Sequence, residues 1–150
     1  MLKELMNSVN QELGTSDWLE ITQDRIQAFA DCTGDHQWIH VDADRASQEM
    51  PNGKTIAHGF LTLSLLSFFQ EQIGILSDPS IHNGFNYGLD RVRFISPVQE
   101  GSRIRNRIKL ISVTEKAPKQ ILIKVENTVD IEGQDKPAMI AESLALLILK

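Results

Sequence analysis

Apolar positions recur at helical spacing in the first half of the chain and alternate along the second. Over Leu2–Gln11, Leu2, Leu5, Met6 and Val9 share one face, which predicts a short amphipathic helix. Trp18-Leu19-Glu20-Ile21 reads as a short strand. Thr22 then stands as an N-cap with Asp24 in the first turn, Ile26, Phe29 and Ala30 repeat at helical spacing, and Gly34 supplies the stop. Asp42 can cap a second short helix over Ala43–Glu49, and Pro51-Asn52-Gly53 marks a turn. Gly59–Ile73 has the length of a helix but is apolar almost all round, with Phe60, Leu61, Leu63, Leu65, Leu66, Phe68 and Phe69. Such a helix is expected to be buried on most of its surface.

Tyr87–Ser96, Ser102–Thr114, Gln120–Ile131 and Ala138–Leu149 read as four long strands. Turn signals separate them at Pro97 to Gly101, Lys116-Ala117-Pro118 and Glu132-Gly133-Gln134. Arg103, Arg105, Arg107 and Lys109 share one face opposite Ile104, Ile108 and Leu110. Ile121, Ile123, Val125, Val129 and Ile131 likewise oppose Lys124, Glu126 and Asp130. One face of the sheet is therefore wet and the other dry, as in an antiparallel sheet. Ala138–Leu149 is apolar on both faces, which fits a central or subunit-covered strand. The pattern predicts an α+β fold in which a curved antiparallel sheet wraps around one buried helix.

Composition narrows this picture without changing it. The 150 residues, 41% hydrophobic and 23% charged, suit one domain over 1–150 with a sizeable core. A formal net charge of −5 argues against a general binder of nucleic acid or of anionic membranes. The single cysteine, Cys32, excludes an intrachain disulfide and fits a reducing compartment. Met1–Gly14 lacks the continuous apolar run of a signal peptide, and the apolar run Phe60–Phe69 falls short of the ~20 residues that span a bilayer. A cytoplasmic protein without a membrane segment is expected.

Two runs carry candidate chemistry. Thr33-Gly34-Asp35-His36-Gln37-Trp38-Ile39-His40-Val41-Asp42 places a carboxylate and an imidazole five residues apart in a loop-like stretch. Such a pair can activate water, one group accepting its proton while the other orients it. Ile56-Ala57-His58-Gly59 opens the apolar helix, where the Gly59 N–H is an unpaired donor at a helix start and glycine allows close approach to the backbone. Each has a plainer alternative: Asp35 could cap a turn, His58 could fix the loop ahead of the helix, and Trp38 could be a packing residue. His36 reads as solvated or supporting. The basic face from Arg103 to Lys109 reads as solvated, although it could meet phosphates. Asp35, His36, His40, His58 and His82 invite a metal reading, but His36 and His40 lie past Gly34 and no thiolates accompany them; no metal is expected.

Gly34-Asp35-x-x-x-x-His40 with Ile56-Ala57-His58-Gly59-Phe60-Leu61 resembles the hydratase-2 motif of MaoC-like (R)-specific enoyl-CoA hydratases. Arg93-Phe94-Ile95-Ser96-Pro97-Val98-x-x-Gly101 resembles the strand and turn that follow in that family. Asp35 to Asp42 together with Asn86-Tyr87-Gly88 is most similar to its nodulation protein N-like branch. The chain departs from the usual Asn-Pro at Gln37-Trp38, which leaves the acid–base pair intact but can reshape the substrate pocket.

The resemblance covers Trp18 to the C-terminus and implies a hotdog fold, a homodimer and a cofactor-independent hydro-lyase. It implies an acyl-CoA or acyl carrier protein thioester as substrate, with water added across a trans-2-enoyl thioester or removed in reverse. Asp35 and His40 are then the catalytic pair, the Gly59 N–H the oxyanion donor, and Ser67 a hydrogen-bond partner near the carboxylate. Gln37, Trp38 and His58 belong to the surroundings of the site or the substrate pocket. A hotdog acyl-CoA thioesterase is the first alternative, weakened because Gly59–Gln70 contains no Asp or Glu. A non-catalytic acyl-thioester binding module is the second, and it needs neither Asp35 nor His40. Chain length, branching, carrier and pathway are not fixed by the sequence.

Overall fold

A computed structural model of the chain describes residues 2–150, with the Leu2 side chain outside the described part. The helices are α1 (Leu2–Asn7), α2 (Gln23–Thr33), α3 (Trp38–Val41), α4 (Ala43–Glu49), α5 (Gly59–Ser64) and α6 (Leu66–Ile73). The strands are β1 (Glu12–Thr15), β2 (Leu19–Glu20), β3 (Ile81–Phe94), β4 (Arg103–Ala117), β5 (Gln120–Ile131) and β6 (Met139–Leu149). They form one antiparallel sheet in the order β1-β4-β5-β6-β3, with β2 also on β4. The inner face of the sheet packs on α5 and α6, the wrapped-helix arrangement that the pattern predicts. Among the described residues no helix is long and apolar enough to cross a membrane.

The dry face is continuous through Ile104, Val129, Ile131, Met139 and Ala141. These are nearly or fully buried and pack with Leu61, Leu65, Leu66 and Phe69 of the helix. Leu5 of α1 and Val9, in the turn after it, pack against a second cluster of Ile108, Leu110, Ile121, Ile123, Val125 and Leu147. As expected, β6 is central, lying between β5 and β3. The basic residues of β4 face outward, where two carboxylates pair with three of them. Arg107 forms a bidentate pair with Asp130 at 2.7 and 3.1 Å, Arg105 lies 3.8 Å from the same carboxylate, and Arg103 reaches Glu132 at 3.1 Å. Arginines so paired are poorly disposed to capture a phosphate.

Several boundaries differ from the pattern. The first helix ends at Asn7, because Asn10 takes a positive φ and the chain turns into β1, which the alternation did not announce. Met6 is consequently exposed rather than packed with Leu5 and Val9. β3 begins at Ile81, six residues before Tyr87. Its Asn83-Gly84-Phe85-Asn86 opening is poor strand sequence, and bulges between Asn86 and Gly88 and between Leu89 and Arg91 accommodate the irregularity. The Gly59–Ile73 segment is two helices meeting at Leu65, although Leu65 N–H to Leu61 O and Phe69 N–H to Leu65 O, both 3.1 Å, carry the ladder across. This segment is not buried on most of its surface. Phe60 is 67% and Phe68 42% exposed, since the sheet covers one side of the helix and none of the described residues covers these rings on the other.

Candidate active site

Local chemistry at the end of α2 places the acidic residue. Gly34 adopts φ +81° and donates its N–H to Ala30 O at 2.8 Å, closing the helix in a conformation that suits glycine. The chain then reverses, and Asp35 Oδ1 accepts the Gln37 N–H at 3.2 Å just ahead of α3. The stretch read as a loop therefore contains one helical turn, Trp38–Val41, which turns His40 inward. Gln23, at the start of α2, ties this turn down. Its Nε2 donates to His40 O at 2.8 Å while its Oε1 accepts from the buried Thr55 hydroxyl. Ile56 N–H donates to Ile39 O at 3.0 Å from the following segment.

Two imidazoles meet the Asp35 loop. His40 is 7% exposed, and its Nδ1 lies 2.6 Å from Ile56 O. A carbonyl only accepts, so Nδ1 carries the hydrogen and Nε2 keeps its lone pair. Burial pushes the His40 pKa below its ordinary value, opposed by the Ile56 bond and reinforced by the neighbouring His58. His58 is 2% exposed and stacks on His40 with ring centroids 3.8 Å apart; Phe29 flanks it at 4.9 Å. By the same logic its Nε2–H donates to Asp35 O at 2.9 Å, which leaves Nδ1 an acceptor, buried and without a hydrogen-bond partner among the described residues.

Asp35, His40 and His58 each offer one ligating atom, all within 4.8 Å of one another. That spacing lets one small molecule touch the carboxylate and an imidazole together. It is also a donor set of the kind a divalent ion uses: of the five residues that invite a metal reading in the sequence, these three meet, His58 arriving from another element. His82, on β3, is not part of this cluster.

Gly59 follows at the start of α5, and neither its N–H nor that of Phe60 has a hydrogen-bond acceptor among the described residues. A Cβ at Gly59 would lie 3.1 Å from the Phe94 ring, so a side chain here would crowd that ring and require it to shift. His40, Gly59, Thr62 and Phe94 line a cavity of about 290 Å³.

Asp35, His40, His58 and Gly59 thus converge. Gln37 contributes its backbone to the Asp35 turn, and Trp38 lies half-buried beneath the Arg45 guanidinium, 4.0 Å from its ring. His36 points away into solvent, paired with Asp31 at 2.9 Å; that hydrogen bond raises the His36 pKa and lowers that of Asp31. Ser67 makes no hydrogen bond to Asp35. It is exposed on α6 and lines a second, larger cavity, because two helical turns carry it past the Asp35 loop. The sequence reading missed Gln23 and Thr55, which are ordinary polar residues until the fold joins them. It also missed Asn106 and Asn127, fully buried on the inner face of the sheet. The dry faces of β4 and β5 are interrupted at those two positions, and that was the available signal.

A wrapped central helix with a carboxylate–imidazole pair at its start defines a hotdog domain of the hydratase and dehydratase type. The family model described as MaoC like domain matches residues 4–133, and the chain belongs to the MaoC-like dehydratase family. It is 45% identical over 141 residues to the 3-hydroxyacyl-thioester dehydratase Z of Mycobacterium tuberculosis, covering 94% of this chain and 91% of that one. It is 44% identical over 149 residues to Nodulation protein N of Rhizobium leguminosarum bv. viciae, covering 97% and 90%. The solved (R)-hydratase from A. caviae involved in PHA biosynthesis superposes with a TM-score of 0.73 at 20% identity, over 91% of this chain and 94% of that one.

Proposed function

We propose that this protein is an (R)-specific enoyl-CoA hydratase, or in the reverse direction a 3-hydroxyacyl-thioester dehydratase, with Asp35 and His40 as its catalytic pair. The observation that carries the reading is the convergence of the Asp35 carboxylate with a buried imidazole whose Nε2 lone pair is fixed by the Ile56 carbonyl. Asp35 orients a water and His40 Nε2 takes its proton as the oxygen bonds to C3 of a trans-2-enoyl thioester. The C2–C3 π electrons move toward the thioester carbonyl, whose developing negative charge accepts the free Gly59 N–H. The proton held by the pair then returns to C2, so one water is added in total and no electron acceptor is needed. His58 holds the Asp35 carbonyl and the His40 ring in place.

The reaction requires no cofactor beyond the thioester itself. Crotonyl-CoA incubated with the protein in EDTA is expected to lose its enoyl absorbance and yield (R)-3-hydroxybutyryl-CoA. Release of free CoA thiol without hydration would make the protein a thioesterase instead. Saturable binding of the ester with neither reaction would make it a binding module.

The site functions in a homodimer. Among the described residues β3 pairs only with β6, so a 14-residue strand offers its other edge. Phe85, Tyr87, Leu89 and Phe94 along it, and Ile95 just beyond its end, are large and exposed. A long apolar edge is a template for another strand, and an antiparallel strand related by a two-fold axis can pair with its own copy. Phe94 and Phe60, whose rings meet edge-on at 6.1 Å beside Gly59, would be covered by the same contact. Sedimentation equilibrium is expected to give twice the chain mass for the wild type and the single-chain mass for Leu89→Asp. A monomeric wild type at assay concentration would contradict the dimer.

A further inference from the structure

The larger cavity, about 800 Å³, runs along the helix away from the reacting centre. Gly59, Leu63, Leu66 and Gln70 fall within a narrow arc of that helix, so a thioester held at Gly59 can extend its acyl chain along this face. Gln70 lies eleven residues on, ~16 Å at the helical rise. Leu63, Leu76, Ile123, Val125 and Leu144 make most of the wall apolar, but its inner end presents Gln70 and Ser143.

These two residues are set by a buried amide network whose orientation a single carbonyl dictates. Ala141 O can only accept, so the atom of Asn127 that lies 3.2 Å from it is Nδ2, which also donates to Ser143 Oγ at 2.9 Å. Asn127 Oδ1 therefore receives two donors, Asn106 Nδ2 at 2.9 Å and Gln70 Nε2 at 3.3 Å. The second Gln70 amide hydrogen points toward Ser143 Oγ at 3.4 Å. Asn127 is then saturated, and so is the Gln70 amide nitrogen. Three hydrogen-bonding capacities of the network remain unmatched among the described residues: the Asn106 Oδ1 acceptor, buried away from the cavity, and, at the cavity wall, the Gln70 carbonyl oxygen, an acceptor, and the Ser143 hydroxyl hydrogen, a donor.

We propose that Gln70 and Ser143 select enoyl thioesters whose acyl chain carries a hydroxyl group, an inference that rests on the hydratase reading. A hydroxyl is the simplest group that satisfies both at once, donating to Gln70 and accepting from Ser143. A plain alkyl chain strips water from both without replacement, which a site built on hydrogen bonds penalises strongly. A ketone would satisfy Ser143 alone. A carboxylate would face the Gln70 carbonyl and Glu71, which lines the same cavity. Asn106 and Asn127, fully buried where the faces of β4 and β5 are otherwise aliphatic, hold this pair in its orientation.

The test compares kcat/KM for a medium-chain series of ω-hydroxy trans-2-enoyl-CoA esters with their unsubstituted counterparts, using the full-length protein. At the chain length that brings the hydroxyl to Gln70, the wild type is expected to favour the hydroxylated ester by about tenfold or more. Gln70→Leu and, separately, Ser143→Ala are each expected to bring that ratio down to unity or below, with folding checked by thermal melting. The ratio is internal to each protein, so a general loss of rate does not imitate the effect. A wild-type preference for the alkyl ester at every length overturns the proposal, as does a ratio that neither variant changes. Failure of the wild type to hydrate crotonyl-CoA, too short to reach Gln70, overturns the hydratase reading itself and this proposal with it.

Discussion

His40→Ala and Asp35→Asn are each expected to lower kcat/KM for crotonyl-CoA by about 10²- to 10⁴-fold, the range over which a positioned acid or base contributes. Both variants should keep their far-UV circular dichroism. Asp35 is exposed and isosteric with asparagine, and loss of the His40 ring leaves Ile39 and the His40 carbonyl still held by Ile56 and Gln23. Because the two residues act on one water, the double variant should lose little more than the worse single one. Near-wild-type turnover by either would remove the pair from the mechanism.

The wild-type pH profile provides the complementary readout. His40 works as a base only when neutral, and burial sets its pKa below the ordinary histidine value of about 6.5. Activity should therefore be full at neutral pH and fall only as pH drops below about 6.5, through the depressed value. The linkage to stability has the same sign. A histidine whose native pKa lies below its unfolded one takes up protons preferentially when unfolded, so its contribution is full above the unfolded value and lost as pH falls toward the native one. An acidic limb well above pH 7 would point to a different base.

Phe69→Ala is expected to cost about 3–5 kcal/mol of stability, measured by urea denaturation. Phe69 is fully buried among Leu61, Leu65, Leu66 and Met139, where the helix meets the sheet. Removing its ring leaves a void in the contact that seats α6, and neighbours locked by the sheet cannot collapse into it. The adjacent Phe68 is 42% exposed, so its replacement tests the edge of the molecule and not this contact. A loss below about 1 kcal/mol for Phe69→Ala would mean that the helix is not seated by this side chain.

Much of the fold was legible because burial leaves a period in the sequence. Alternation in Gln120–Ile131 and at Ile104, Ile108 and Leu110 marked the dry face. The Thr22 cap and the Gly34 stop marked α2, where the Thr22 hydroxyl accepts the Arg25 N–H at 3.2 Å. Irregular backbone leaves no period. The bulges of β3 break its alternation, and Asn83, Gly84, Asn86 and Gly88 read as turn residues although they lie in a strand. β1 is too short to alternate visibly, and it forms because β4 offers an edge to pair with. Phe60 and Phe68 show the opposite failure: apolar character predicted burial, but both stay exposed because the sheet covers only the other side of the helix.

At the site, the sequence by itself determined which groups are available: a carboxylate and an imidazole in one short run, a histidine and glycine opening the helix, and no acid on that helix before Glu71. Spacing along a chain carries no angle or depth, and only the tertiary structure decided what those groups can do. It stacked His58 on His40, used the Ile56 and Asp35 carbonyls to choose which ring nitrogens keep their lone pairs, and sent His36 to solvent and Ser67 to the second cavity. It also joined Asn106, Asn127, Gln70 and Ser143, four residues from three strands and a helix, into one network. Protonation state and hydrogen-bond direction depend on the partner each atom meets, and here those partners come from elsewhere in the chain, brought close only by folding.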